Sequence, residues 1–528
     1  MPVSLPLARV RRAGHQAATA ARAVAPLARK AVRLAPPTLS TVAHRVRPPR
    51  GAEVAQAGFS AWDTRAARAR ELAAQMSAAG LDYVDVSTYN RGGRRSWAIR
   101  AADRAGLVGR VVPALRAAGW QAAVHPAAVL FWREVITPAG DVLVGPEDAI
   151  TVETWTPAAP GRAECTPGAL IPPPWHRGTY LSAETFQRAQ AGDHTPPQEW
   201  GEVWSLRPPF PIDAVYTWVD GTDPAWRASY RATVGDEGPA PIAAERFVPH
   251  DELRYALRSL EYFASWVRQV VLVVGQEPPA WLRRDHPKLR IVRHEEFMDP
   301  ATLPTFNSHS IEARLHRIDG LADHFLYLND DVFFGRPLSP AHFFHANGLA
   351  RFFVSPGSPL DPNPVSEADS TATAARKNAR ELLRAELGFL APRRLQHTPH
   401  AMRLDVLREM EARWPEQFAA TAASRVRSAA DYPVEAYWAQ WYAYATGRAV
   451  PGALEGGYVL IDKPRARMQY LSLTAARAKD VFCLNESARA AAPASGAYAA
   501  MEAFLRGYFP VPSSFERDQP GTEGGGAA

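Results

Sequence analysis

Cysteine is nearly absent from this 528-residue sequence, which has only Cys165 and Cys483, far apart in the chain. Two isolated thiols cannot build a disulfide framework, so a bridge-stapled secreted scaffold is excluded and a reducing cytoplasm is the expected setting. Long apolar runs are missing too. No stretch approaches the roughly 18 consecutive apolar residues that a membrane-spanning helix needs. Nor does the N-terminus resemble a secretory signal, because Arg9, Arg11, Arg12, Arg22, Arg29, Lys30 and Arg33 interrupt its apolar pieces. Residues 1–50 hold ten Arg or Lys and no Asp or Glu. The formal net charge of +6 therefore conceals a remainder at −4, and nothing in that balance points to nucleic acid.

What is present is the composition of a soluble globular protein, 47% hydrophobic and 22% charged, in a chain long enough for two or three domains. Residues 1–50 form a basic segment, either disordered or in peripheral contact with an anionic membrane surface, since basic and apolar residues alternate from Leu7 to Leu34. Residues 51–156 read as a small α/β domain. Its helix AWDTRAARARELAAQMSAAG precedes the strand LDYVDVS; a second helix-like piece, GLVGRVVPALRAAG, leads to a strand over 120–125, a hairpin about Pro138-Ala139-Gly140 and the strand ITVETW. Residues 157–210, rich in Pro, Gly and Thr, read as a linker with short local structure, and 518–528 as a flexible tail.

The span 211–517 carries the chemistry. Apolar strands at 212–219, 269–274, 289–293 and 325–328 alternate with helix-like segments such as DELRYALRSLEYFA, which predicts a Rossmann-like, largely parallel sheet. A helical region from Arg403 to about Gly447 would cover the sheet's carboxyl edge. Its aromatic run Tyr437, Trp438, Trp441, Tyr442 and Tyr444 reads first as core and second as a platform for a sugar. In HFLYLNDDVFF a buried strand arrives at Asn329-Asp330-Asp331. Ligands of open α/β sheets gather beyond the carboxyl ends of strands, where an acidic pair can hold a divalent cation against a diphosphate; a plain tight turn is the alternative. In PIDAVYTWVDGTDPAW a strand runs into Asp220-Gly221-Thr222-Asp223, a turn offering backbone amides, while Asp223 equally suits a helix cap before Pro224. His397 and His400 flank Pro399 in QHTPHAM, and either His has the near-neutral pKa that a proton acceptor needs. Arg427 and Arg317 are candidates for a phosphate clamp, although Arg317 also suits a solvated face with Glu312 and His316. Ser308 after Asn307 suits an N-cap or an anion site, and Asn485 follows a strand in which Cys483 reads as a small buried hydrophobe.

Four segments in order, IDAVYTWVDGTDP, then HDELRYALRSLE with PTFNSHSIEARLHRI and FLYLNDDVFFG, then HTPHAMRLDVLREMEARWPEQF with VRSAADYPVEAYWAQWYAYATG, then FCLNES with YFPVPSSFE, resemble the conserved regions of the Stealth family. That family includes bacterial capsule-polysaccharide hexose-1-phosphate transferases and the animal GlcNAc-1-phosphotransferase; the resemblance covers about residues 210–517. It implies transfer of a hexose-1-phosphate, GlcNAc-1-phosphate from UDP-GlcNAc in the first instance, from a nucleotide sugar to a hydroxyl of a saccharide acceptor in capsule or cell-surface polysaccharide synthesis. It further implies Mg²⁺ or Mn²⁺ on Asp330 and Asp331, His400 as the base with His397 supporting it, and catalytic roles for Asp331 and Arg427. Substrate contacts are implied for Trp218, Asp220, Gly221, Asp223, Arg254, Asn307, Ser308, Arg317, Asn329, His397 and Asn485. The expected location is cytoplasmic, at the inner face of the plasma membrane if residues 1–50 attach there. Two other readings remain: a metal-dependent glycosyltransferase that releases a nucleoside diphosphate, and a carbohydrate-binding protein without catalysis.

Overall fold

The computed structural model describes residues 51–87, 95–159, 168–174, 180–193, 208–235, 247–486 and 496–517, so the basic segment 1–50 and the tail 518–528 lie outside the described residues. Near the N-terminus, the helix Ala61–Ala78 is capped by Ser60, whose side chain accepts from the Asp63 amide. The helix buries Leu72 and Met76 completely, in one core with Trp97, Ile99, Val129, Phe131 and Val152 of the sheet it covers. Strands at 84–85, 96–100, 150–157, 128–132 and 121–125 stand side by side in that order. The hairpin at Val135–Ile136 and Val142–Val144 turns through Gly140, whose φ of +94° suits glycine. Ser96–Arg100 is a strand the sequence did not mark, because its three successive buried residues show no alternation. Leu170, Leu181, Phe186 and Ala189 close over Val84, Ala98 and Trp155, so part of the Pro-rich stretch packs onto this sheet.

The larger assembly begins with β1 (Ile212–Trp218), α1 (Glu252–Ala264), β2 (Val270–Val274) and β3 (Leu289–Arg293), followed by β4 (His324–Asn329) and β5 (Val332–Phe334). It continues through α2 (Thr371–Leu387), β6 (His400–Arg403), α3 (Leu404–Arg413), α4 (Pro415–Ala423), α5 (Ala439–Ala445), β7 (Gly456–Leu460) and β8 (Val481–Asn485). Five strands lie in the order β3-β2-β1-β4-β6. The first four are mutually parallel, and β2 is VVLVV, buried throughout, as a strand covered on both faces must be. Only β6 runs antiparallel, pairing Tyr327 with His400. The sheet is thus the largely parallel α/β sheet expected, with one reversed edge strand.

A second sheet, β5-β8-β7, lies beyond it. Val332 pairs with Cys483, and β7 runs parallel to β8. Asp330 and Asp331 are the two residues between β4 and β5, so the chain steps from one sheet to the other at the acidic pair. The helical cover is α3, α4 and α5 with a π-helical turn at Val434–Trp438. Tyr437 and Trp438 are completely buried and Tyr444 is 40% exposed, so the aromatic run is chiefly core. The N-terminal layer shares that core through Phe59, Val135 and Val144. Trp62 Nε1 donates to the Leu338 carbonyl at 3.0 Å. Among the described residues no helix is long and apolar enough to cross a membrane.

Candidate active site

Asp331 is the hub of the step between the sheets. Its Oδ2 accepts from Asn485 Nδ2 at 2.8 Å and from Cys483 Sγ at 3.3 Å, and its Oδ1 lies 3.3 Å from His397 Nε2. The Leu484 amide donates to its carbonyl at 3.1 Å, which ties β8 to the turn. Burial alone would raise the Asp331 pKa, but His397 and the hydrogen bonds outweigh it and hold the carboxylate below its ordinary range. Burial likewise pulls His397 down, and Asp331 overcomes that pull, so the imidazole stands above its ordinary value. Both partners therefore move in the direction of a charged pair. Burial, with Asp331 beside it, pushes the Cys483 thiol well up. A thiol so held is a neutral donor, which agrees with its reading as a buried small side chain.

Asp330 is shifted the opposite way, well above the carboxylate range, by burial and then by Glu252 and Asp331. Burial raises Glu252 to about 7, although its carboxylate accepts from the His250 amide at 2.5 Å. Adjacent carboxyl groups thus sit in environments that split their protonation. Three crowded carboxyls are an oxygen donor set of the kind a hard divalent cation takes, and such an ion would favour the ionised forms of Asp330 and Glu252. Asp331, His397 and Cys483 also each bring one donor atom within 4.8 Å of the others.

The remaining candidates fall into two groups. His400 on β6 is buried, its pKa pushed down to about 3 by burial, then by His397 and Arg376, and its ring centroid stands 6.5 Å from that of His397. Asn329 ends β4 opposite Thr217, and Trp218 ends β1 next door. Arg427 Nη2 donates to Ser308 Oγ at 2.8 Å. Asp220 accepts from the Thr222 amide at 2.8 Å, and its backbone is tied to Gln276 beyond β2. Gly221 leaves no room for a side chain, since a Cβ there would stand 2.7 Å from Phe247.

Four others are bonded within the protein. Asp223 is an N-cap, accepting from the Ala225 and Trp226 amides. Asn307 is fully buried and donates to the Ser424 carbonyl and Asp431 Oδ2. Arg317 pairs with Glu411 at 2.6 Å on the surface. Arg254 pairs with Asp251 at 2.8 Å and lies over the Trp281 ring.

Residues that the sequence did not mark as part of a site complete the surroundings. Glu252 opens a helix and reads locally as nothing more, so only tertiary packing brings it to Asp330. Glu312 Oε1 accepts from the Tyr327 hydroxyl at 3.1 Å. Glu435, on the π-helical turn, is completely buried with neither carboxyl oxygen hydrogen-bonded. Burial, then Glu312, pushes its pKa well above the carboxylate range. The folded protein therefore binds a proton here that the unfolded chain releases near the ordinary value of 4.5. That stability contribution is full below this pH and is lost as pH rises toward the folded value. Glu435→Gln has no such proton to lose and should show a smaller fall in urea midpoint from pH 5 to pH 8 than the wild type. An unchanged fall would assign the pH dependence to other groups.

An acidic strand end with a paired imidazole thus stands at the carboxyl edge of the open α/β sheet. Residues 210–238, 246–352, 396–444 and 472–523 match the models of Stealth conserved regions 1, 2, 3 and 4 in turn. An exopolysaccharide phosphotransferase of Streptomyces coelicolor is 40% identical over 416 residues, covering 76% of this chain and 70% of its own. A second from that organism is 43% identical over 310 residues, covering 58% and 57%. The exopolysaccharide phosphotransferase CpsY of Mycobacterium tuberculosis is 40% identical over 312 residues, covering 58% of each chain. The match to the last two spans a little over half of their length. The chain belongs to the Stealth family. A crystal structure of the galactosyltransferase LgtC with donor and acceptor sugar analogues aligns over 57% of this chain and 96% of that one, at 13% identity and a TM-score of 0.28, too slight a likeness to bear on the chemistry.

Proposed function

We propose that the protein transfers a hexose-1-phosphate from a nucleoside diphosphate sugar to a hydroxyl of a saccharide acceptor in exopolysaccharide synthesis. The observation that carries this reading is the Asp331–His397 pair beside Asp330, at the strand edge of a chain whose relatives are named exopolysaccharide phosphotransferases. The acceptor oxygen forms a bond to the phosphorus that bears the sugar, the bond from that phosphorus to the nucleoside monophosphate breaks, and the hydroxyl proton must leave. A carboxylate only accepts, so His397 Nε2–H donates to Asp331 and leaves Nδ1 free to take that proton. Its partial exposure of 30% and its carboxylate partner support His397 for this task over the buried His400. Asn485 and Cys483 hold the Asp331 carboxylate in place from its other oxygen. Arg427, set against Ser308, supplies a guanidinium for the phosphate. Mg²⁺ or Mn²⁺ held by Asp330 and Asp331, with Glu252 beside them, would neutralise diphosphate charge.

Incubation with UDP and GDP sugars, UDP-GlcNAc first, plus Mg²⁺ and oligosaccharide acceptors, should yield a nucleoside monophosphate and a sugar-1-phosphate diester by mass analysis. Release of a nucleoside diphosphate would overturn the reading in favour of glycosyl transfer. Sugar binding that persists in chelator without turnover would overturn it in favour of a binding protein.

A further inference from the structure

Helix α2 carries four cations, and three of them form ion pairs within the protein. Lys377 pairs with Asp361 and Asp369, and Arg380 and Arg384 pair with Glu381. Arg376 makes no ion pair among the described residues; its Nη1 donates only to the Ala372 carbonyl at 3.0 Å. Two more guanidinium groups converge on it. Asn378, two residues along α2, donates to the Ala429 and Asp431 carbonyls, which draws the loop carrying Arg427 against the helix. Tyr437, on the π-helical turn that α2 packs against, and Trp441, on α5, donate to the Ala391 and Arg393 carbonyls, which fixes the segment carrying Arg394 beside them. Arg394 Nε is buried without a partner, and Arg427 has only the neutral Ser308 hydroxyl. Neither makes an ion pair among the described residues.

Three half-buried cations, none in an ion pair among the described residues, repel one another. Burial, then Arg394 and Arg427, lowers the Arg376 pKa to about 10 in spite of Glu312 nearby. Arg394 stands three residues before His397, so the cluster borders the candidate active site, and Arg376 pulls down the pKa of both His397 and His400. A fold keeps such an arrangement stable with an anion, and three planar forks of N–H donors match an ion with several oxygens better than a single carboxylate. Arg376 and Arg394 lie between the matched conserved regions, which end at 352 and resume at 396.

We infer that Arg376 and Arg394 join Arg427 in a phosphate-binding subsite beside the His397–Asp331 pair, an inference that rests on the proposed transferase reading. The phosphate belongs either to the donor diphosphate or to an acceptor that already carries phosphodiesters.

The test uses the full chain in EDTA, so that cations on the carboxyl groups play no part, with inorganic pyrophosphate as the probe. Pyrophosphate should bind and raise the thermal midpoint, and Arg376→Gln and Arg394→Gln should each weaken it at least tenfold by calorimetry. Their midpoints without pyrophosphate should equal or exceed the wild-type value, because a repelling charge has gone. Arg384→Gln, on the same helix and paired with Glu381, should bind as the wild type does. Variants that bind pyrophosphate normally, or that are destabilised before it is added, would overturn the subsite. Steady-state rates assign the source: a raised donor KM marks the diphosphate, and a raised acceptor KM marks the acceptor's phosphodiester. Unchanged KM values for both would mean an adventitious anion only and would overturn the inference. Nucleoside monophosphate release with no Arg-dependent pyrophosphate binding removes the subsite and leaves the reaction. Nucleoside diphosphate release with that binding intact removes the reaction and leaves the subsite.

Discussion

Asp331→Asn is expected to lower turnover by at least about a hundredfold, the scale of losing one well-placed charge stabiliser, with the fold intact. The substitution keeps the shape of the side chain and removes its charge, and the charge is what every neighbour uses. Asn485 Nδ2 and Cys483 Sγ both donate to Oδ2, so an amide nitrogen turned that way would face two donors, and turned the other way would face His397. At least one donor loses its acceptor in either case, the imidazole loses the anion that holds its proton, and a bound cation would lose a ligand. Circular dichroism and the thermal midpoint test the fold, and initial rates with and without EDTA test the centre. Wild-type activity should fall in chelator and return with Mg²⁺, and the variant should respond to neither. Full activity of the variant in chelator would remove Asp331 from the chemistry.

The central strands were legible because their signal is local. β2 is a short apolar run buried end to end and β4 has a buried apolar centre, and the expected bounds of 269–274 and 325–328 differ from the observed ones by one residue at an end. The acidic pair was legible for the same reason, as polar residues placed abruptly at a strand's end. Caps were legible as alternatives: Asp223 before Pro224 suits a helix start on local grounds, and the cap is what formed. What the sequence hid depends on distant pairing. Val332 meets Cys483 across 150 residues, and that pairing brings Asn485 to Asp331. Nothing near Glu252 or Arg376 announces their surroundings, since each reads as an ordinary polar position on a helix. His397 and His400 belong to one motif with similar local prospects. Only packing separates them, by setting one against a carboxylate and closing the other in beside Tyr327.

That separation sets the second large effect. His397→Ala should lower kcat at saturating donor by about 10²–10⁴, the range for loss of a positioned general base, with donor affinity much less affected because a base acts mainly in the transition state. An imidazolium cannot accept the hydroxyl proton, so the wild-type rate should climb as pH rises through the His397 ionisation. Asp331 holds that ionisation above the ordinary 6.5 in the cation-free protein. A cation on Asp331 competes with the imidazolium for the same carboxylate, so raising Mg²⁺ should move the limb to lower pH. His400 cannot produce this limb, because burial keeps it neutral down to about pH 3. His400→Ala should therefore slow the reaction through lost packing and leave the pH dependence in place, whereas His397→Ala should abolish it. If His400→Ala removes the limb and His397→Ala keeps it, the base is the residue that the family motif suggested, and the Asp331 bond serves only to position its neighbour. If both variants keep the limb, neither imidazole takes the proton. Glu252, whose carboxyl stands near 7 in the same cluster, then becomes the group whose substitution should erase it.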